Sequence, residues 1–142
     1  MREARSVSVD VMSEYQVTDI GSIDSWVGKN FIQGEIGADT IGLSINATEP
    51  GDGSPFWHSH AETEEIYIVL DGEGEIVVDG DAVALKAGTV VRVAPNSMLA
   101  LHALPGSATA LKWICIRSGA NTIAAIGNDA TLDQETPFPW AE

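Results

Sequence analysis

Residues 55–72 read PFWHSHAETEEIYIVLDG, and the rest of the chain is best interpreted outward from this stretch. It contains His58 and His60, two of the three histidines in the sequence. Side chains at positions i and i+2 of a β-strand project from one face, so both imidazoles are expected to point toward the same place. An acidic link, AETE, then leads to Glu65 at the start of an apolar run. If the link folds back, two imidazoles and one carboxylate meet on one side of a common centre.

This set of donors is the facial triad favoured by non-haem Fe(II), and it also accepts Mn, Ni, Co or Zn. The sequence therefore predicts a divalent transition metal bound by His58, His60 and Glu65. The alternative is a hydrogen-bonded polar cluster in a barrel that has lost its metal. Glu64 is expected to face away from Glu65, toward solvent, and becomes a ligand only if the link is one residue shorter.

Short apolar runs separated by turn residues flank this stretch on both sides. Asp71-Gly72 is interpreted as a hairpin turn, and no segment has the periodicity of a long amphipathic helix. The pattern predicts an all-β antiparallel sandwich or barrel. The predicted strands are 41–46, 56–60, 65–70, 73–79, 82–86, 89–94, 98–104 and 109–117.

The two ends of the chain carry weaker patterns. One loosely held strand is expected in residues 1–20, then a loop or short helix up to residue 34. A single short helical turn is expected within residues 119–130. The tail, TPFPW, has two prolines and cannot join a central strand, so it is expected to lie over the barrel or against a partner subunit. The prediction is one domain, 1–142, with a core barrel at about 35–118, an N-terminal strand and loop at 1–34 and a C-terminal tail at 119–142.

Composition excludes several classes of partner. The chain has 21 acidic and 7 basic side chains and a net charge of −14, so it repels a nucleic-acid backbone. No apolar run approaches the length of a membrane span, and the N-terminus lacks the apolar region of a signal peptide. The single cysteine, Cys115, cannot form an internal disulfide and is expected in the core. These features predict a cytoplasmic protein.

From His58 onward the sequence resembles the cupin superfamily. The first motif of that family is a glycine, His-x-His, three or four residues, Glu, six residues and Gly. Here His58 and His60 are followed by four residues, Glu65, six residues and Gly72. The leading glycine departs from the pattern, because six residues separate Gly51 from His58 where the family usually has five. The resemblance covers about residues 41–117 and implies a double-stranded β-helix, or jelly-roll, that forms a homodimer.

The second cupin motif matches less well. Ala100 stands where the family has its last metal-binding histidine, and Ser97 and Leu104 replace a glycine and an asparagine. His102 lies two residues beyond Ala100 on the same face of the strand. A bulge would bring it into the site as a fourth ligand, whereas the alternative is a hydrogen-bonded core histidine.

Side chains for a substrate pocket are expected around this centre. Tyr67 shares a strand face with Glu65, and its hydroxyl offers a polar contact. Arg92 and Lys112 are the basic residues taken to hold an anionic substrate, with solvent exposure as the alternative. Trp57 and Met98 are further candidates for the pocket wall, although such side chains in strands usually form core.

The resemblance and the donor set together imply a metal-binding cupin that acts on or binds a small molecule. An open-sided metal polarises a carbonyl, as in an isomerase, epimerase or lyase, or binds O₂ beside a chelated substrate, as in a dioxygenase. Acidic residues expected at one rim, among them Glu49, Asp52 and Glu62, disfavour a sugar phosphate. The competing hypothesis is a non-catalytic cupin that binds or senses a small ligand without full metal coordination.

Overall fold

The computed structural model describes residues 14–119 and 123–141, and the strands within them account for most of the fold. These residues form ten β-strands, one short α-helix, α1 (Ile123–Asn128), and one 3₁₀ turn (Ile23–Ser25). The strands are β1 (Gly28–Phe31), β2 (Ile41–Thr48), β3 (Trp57–His60), β4 (Glu65–Asp71), β5 (Gly74–Val78), β6 (Asp81–Leu85), β7 (Val90–Val93), β8 (Leu99–Ala103), β9 (Leu111–Ser118) and β10 (Ala130–Asp133).

The strands are arranged in two five-stranded antiparallel sheets that face each other. The first sheet has the order β1-β2-β9-β4-β7, and the second has the order β10-β3-β8-β5-β6. From β2 to β10 the chain changes sheet at every connection except the β5–β6 hairpin. This alternation is the double-stranded β-helix, or jelly-roll. The predicted all-β jelly-roll is therefore confirmed.

Apolar side chains on the facing surfaces fill one end of the barrel. Along β9, Leu111, Trp113 and Cys115 alternate into this core, as residues two apart in a strand must. From the opposite sheet, Leu99 and Leu101 of β8 meet them. The other end of the barrel is not filled and contains the cavity described below.

All eight predicted strands are present to within two residues, but β1 and β10 were not predicted. β1 pairs with β2, and β10 pairs with β3, so each extends the edge of a sheet. The two sheets therefore include residues on both sides of the predicted core of 35–118, from Gly28 to Asp133. The described part of the first predicted strand, residues 14–20, contains no strand, and residues 1–13 lie outside the described residues.

The prediction that Asp71-Gly72 closes a hairpin is wrong, because β4 and β5 belong to different sheets. Gly72 instead carries the chain from one sheet to the other at φ +81, where a Cβ atom would lie 2.5 Å from the Ala110 carbonyl oxygen. The hairpin turn is the next one, where Asp79 and Gly80 have φ values of 48 and 87. Positive φ at both central residues suits the twist of a two-residue hairpin.

The outer face of each sheet is covered by a chain end. Trp26 and Ile32 pack with Ile45 on the outside of the first sheet. Phe138 and Trp140 pack on Trp57 outside the second sheet, which confirms that the tail lies over the barrel. Among the described residues, no helix has the length and hydrophobicity needed to cross a bilayer.

Candidate metal centre and cavity

The open end of the barrel encloses a cavity of about 860 Å³. Its deep wall carries His58, His60, Tyr67 and Arg117, and the rest is mainly apolar. Glu49 and Asp52 line it as well, from the loop after β2. A cavity of this size, with a few convergent polar groups, suits a small molecule.

The structure brings together the three residues that the spacing singled out. On β3, Trp57 packs against the outer cluster, so alternation directs His58 and His60 inward. Glu65 opens β4 in the facing sheet, and its carboxylate lies 3.5 Å from His58 Nε2 and 3.9 Å from His60 Nε2. One donor atom from each residue falls within 4.8 Å of the others. These atoms can converge on a single metal ion.

Asp129 contacts the His60 ring at Nδ1, the nitrogen that faces away from the cluster. Its Oδ1 lies 2.8 Å from His60 Nδ1, and its Oδ2 accepts hydrogen bonds from the backbone N–H groups of Glu62 and Thr63. Burial opposes ionisation of Asp129, but these hydrogen bonds and the one to His60 outweigh it and lower its pKa to about 2. An ionised carboxylate only accepts, so Nδ1 of His60 donates, and Nε2 is the ring nitrogen that faces the cluster.

Asp129 was missed in the sequence because nothing local connects it to His60, which is 69 residues away. It follows α1 and immediately precedes β10, and the pairing of β10 with β3 places it beside His60. Only this tertiary pairing reveals its position.

Glu65 is buried and already has an ionic partner. It is 1% exposed, and Arg117, its cross-strand neighbour on β9, is 4% exposed. Arg117 Nε donates to Glu65 Oε2 at 3.0 Å, and the Tyr67 hydroxyl donates to Oε1 at 3.0 Å. Burial alone would raise the pKa of the Glu65 carboxyl. The hydrogen bond and charge of His58, followed by the charges of Arg117 and His60, lower it to about 2.

Cys115 lies beside the same carboxylate and is fully buried. Burial is the main cause that raises the pKa of its thiol, to about 12. A thiol of this kind is not a nucleophile at neutral pH.

The prediction that Lys112 and Arg92 lie in the pocket is corrected by the structure. Lys112 points out of the barrel, where its Nζ donates to the Ile23 carbonyl oxygen at 3.1 Å. The side chain of Arg92 is 62% exposed and pairs with Glu64 at the surface. Arg117 is the basic residue of β9 that reaches the cavity. Alternation carries this signal, since Arg117 is two and four residues from the inward-facing Cys115 and Trp113.

His102 does not join the cluster. It shares the outward face of β8 with Ala100, where its ring stacks on Trp140 at a centroid distance of 4.0 Å and an interplanar angle of 8°. Its Nε2 lies 3.4 Å from a Glu75 oxygen. Leu99, which is the cross-strand neighbour of His58, takes the cavity-facing position instead. The prediction of His102 as a fourth ligand is corrected for this reason.

Two further candidates for the pocket wall also face outward, whereas Tyr67 faces the cavity. Trp57 packs with Val77 and donates from Nε1 to the Thr136 carbonyl oxygen at 3.1 Å. Met98 packs against the same outer cluster. Both side chains support the C-terminal tail rather than the pocket.

Strand β1 adds a cationic and aromatic rim that the sequence did not reveal. Lys29 and Phe31 are two residues apart and both line the cavity. Lys29 Nζ lies 5.5 Å from the Phe31 ring centroid and 5.4 Å from that of Trp113. The Lys29 side chain keeps contact with solvent. The surrounding walls, and secondly the charge of Arg117, nevertheless lower the pKa of its amine.

Known proteins resemble this chain in both sequence and fold. The Cupin domain family model matches residues 47–117. A cupin protein from Bacteroides fragilis is 30% identical, with a TM-score of 0.68 over 79% of this chain and 90% of its own. A cupin-like protein from Thermotoga maritima is 27% identical, with a TM-score of 0.60 over 79% and 81%.

More distant structures share only the fold. A Streptomyces nucleoside dehydratase is 15% identical, with a TM-score of 0.55 over 70% of this chain and 78% of its own. No curated protein sequence matches this chain significantly.

Proposed function

Since this chain belongs to the cupin family, we propose that it is a metal-dependent cupin in which His58, His60 and Glu65 hold a divalent transition metal beside a small-molecule cavity. The observation that carries the proposal is the convergence of three donor atoms within 4.8 Å at the cavity wall. The donor set suits Fe, Mn, Ni or Zn.

The surroundings of the cluster fit such an ion. Asp129 keeps a proton on His60 Nδ1, which leaves Nε2 free as a ligand. A carboxylate behind a ligating histidine is the usual support of a metal site. Glu65 enters the site ionised, because His58 and then Arg117 lower the pKa of its carboxyl to about 2, and Arg117 and Tyr67 donate hydrogen bonds to it.

We propose that this centre serves a small enzyme of the isomerase or dioxygenase type. When bound, the metal supplies Lewis-acid polarisation of a carbonyl or redox chemistry with O₂. The Tyr67 hydroxyl donates a hydrogen bond to Glu65 Oε1 and holds that carboxylate in place. The apolar walls formed by Leu99 and Leu101 exclude water from one side of a bound molecule.

A second candidate function is a metal-free, ligand-binding cupin. The observation in its favour is the Glu65–Arg117 pair, which balances the charge of the cluster without any ion. A cation placed beside Glu65 would also meet the positive charge of Arg117. The two functions differ in whether the purified protein contains a metal.

Location and assembly are also proposals. A cytoplasmic protein is supported by the single buried cysteine, Cys115, which needs no oxidising compartment. A homodimer is supported by the edge strand β7, where Val90 is 62% exposed. Light scattering at two protein concentrations tests the dimer.

Asp129→Asn is expected to weaken metal binding about 10- to 100-fold. The amide of asparagine can donate to Nδ1, which allows the proton of His60 to move to the ligating Nε2. Titration of the EDTA-treated protein with Mn²⁺, Ni²⁺ or Zn²⁺ in a calorimeter measures the affinity.

Asp133→Asn is the matched control for this titration. Asp133 ends β10, and among the described residues its carboxylate accepts hydrogen bonds from Glu135 and Thr136 and none from the cluster, so the metal affinity of the variant should equal that of the wild type. Equal affinities in all three proteins would remove Asp129 from the site, and no metal binding by the wild type would overturn the proposed function.

A further inference from the structure

The cavity wall beside the candidate metal centre contains an exposed lysine, Lys29, that forms no ion pair within the described part of the chain. Lys29 on β1 and Asn46 on β2 are cross-strand neighbours, and both line the cavity. Among the described residues, no carboxylate forms an ion pair with Lys29, although Glu49 and Asp52 line the same cavity. Its amine lies over the Phe31 and Trp113 rings instead.

Arg117 also lines this cavity and adds a second positive charge to its wall. Its Nε is used by Glu65 and its Nη1 by Ser44 Oγ at 3.3 Å. Its guanidinium carbon is 5.5 Å from the Phe31 centroid, the same distance as Lys29 Nζ. Because Glu65 already balances Arg117, Lys29 is the cation in this wall that a ligand can pair with.

A buried polar atom beside Lys29 also lacks a partner. Asn46 is 2% exposed, and its Nδ2 donates to Ser44 Oγ at 3.1 Å and to the Trp113 carbonyl oxygen at 3.3 Å. The carbonyl oxygen of Trp113 can only accept, so the orientation of the amide is fixed. Asn46 Oδ1 then has no hydrogen-bond partner among the described residues. Buried polar groups are rarely left without a partner, and Oδ1 only accepts, so a bound molecule that satisfies it must supply a hydroxyl or N–H donor.

We propose that Lys29, Phe31, Asn46 and Trp113 form a subsite for a small carboxylic acid whose planar apolar body carries a hydroxyl group. Its carboxylate pairs with the Lys29 amine, its hydroxyl donates a hydrogen bond to Asn46 Oδ1, and its body lies against the two aromatic rings. A monoanion is favoured over a phosphate dianion, because Glu49 and Asp52 in the same cavity repel the second charge. This inference rests on the proposed function, because in the metal-dependent enzyme the subsite would orient the acid with its other end toward His58 and His60.

Phenylacetate keeps the carboxylate and the planar body of the proposed ligand, so its binding, compared with that of its neutral analogue phenylacetamide, tests the part of the subsite formed by Lys29 and the two rings. Calorimetry is run on the protein as purified and again after EDTA treatment. Phenylacetate is expected to bind the wild type, and Lys29→Met is expected to weaken it about 10- to 100-fold, the effect of losing a hydrogen bond to a charged group. Phenylacetamide should bind equally to both proteins. Lys29→Arg should retain the affinity for phenylacetate. Lys86→Met, at an exposed turn, should leave that affinity unchanged.

The outcomes separate the subsite from the metal centre. Loss of phenylacetate binding in Lys29→Met supports the subsite, in the protein as purified and after EDTA treatment alike. If the wild type also contains no metal as purified and binds none when titrated, the subsite stands and the proposed function is refuted. Equal binding of phenylacetate to the wild type and Lys29→Met overturns the subsite, whatever the metal content. Failure of the wild type to discriminate phenylacetate from phenylacetamide overturns it as well. Inorganic phosphate is the third probe, and binding stronger than that of phenylacetate would contradict the preference for a monoanion.

Discussion

Arg117→Met is expected to lower the free energy of unfolding by about 3–5 kcal/mol in the metal-free protein at pH 7. The substitution leaves the Glu65 carboxylate buried without its guanidinium partner, and both side chains are at most 5% exposed. In the wild type, His58 and then Arg117 lower the pKa of Glu65 from 4.5 to about 2, so the stabilisation that these partners provide is fully present at pH 7, and the variant loses the share of Arg117. Urea denaturation in EDTA, followed by circular dichroism, measures the change.

Arg92→Met is the matched control, because it removes the same side chain from an exposed pair. Arg92 and Glu64 are 62% and 41% exposed, so the expected change is about 0–1 kcal/mol. The double variant Glu65→Leu/Arg117→Met should recover most of the loss, since an apolar pair leaves no unpaired charge. A loss in Arg117→Met no greater than in Arg92→Met would show that the buried pair does not stabilise the fold.

A divalent transition metal is expected to stabilise the folded protein measurably. At a free concentration about one hundred times its Kd, an ion that binds only the folded form adds about 2.7 kcal/mol to the free energy of unfolding. His58→Ala should remove this gain. The metal-free variant is also expected to be less stable, because His58 is the main group that lowers the pKa of the buried Glu65 carboxyl, so the gain is measured against the metal-free melt of each variant. Glu65 is less suitable for this test, since its removal also leaves Arg117 unpaired. Thermal melts with and without Mn²⁺, Ni²⁺ or Zn²⁺ provide the measurement.

His102→Ala is the control for this experiment, because it removes a histidine that faces away from the cluster. Its metal-dependent gain should equal that of the wild type, even if its own melting temperature falls through loss of the stacking on Trp140. A gain lost in His102→Ala but kept in His58→Ala would contradict the assignment of ligands.

The strands from β2 to β9 were predictable because their signals are local. Apolar runs and turn residues alternate within a few positions, and the His-x-His spacing directs two imidazoles to one face wherever that strand pairs. β1 lacks such a signal, since its GKNF stretch holds one large apolar residue, and it forms only by pairing with β2. β10 likewise depends on β3, and Asp129 comes with it.

Side-chain orientation was the harder part, because both faces of several strands are buried. On β9, Trp113 faces the core while Ile114 packs under the N-terminal segment, so hydrophobicity does not distinguish the two faces. The sequence pattern therefore points to Lys112 rather than Arg117 as the basic residue of the pocket. On β8 the covering tail buries Ala100 and His102. Hydrophobicity again does not distinguish the two faces of the strand, and His102 is therefore predicted as a ligand although it faces outward.

Elemental analysis of the protein purified without added metal tests the central claim most directly. We predict near-stoichiometric Fe, Mn, Ni or Zn in the wild type and in His102→Ala, and its loss in the double variant His58→Ala/His60→Ala. Absence of metal from the wild type, with the double variant still folded, would contradict the metal-dependent function and favour a ligand-binding cupin.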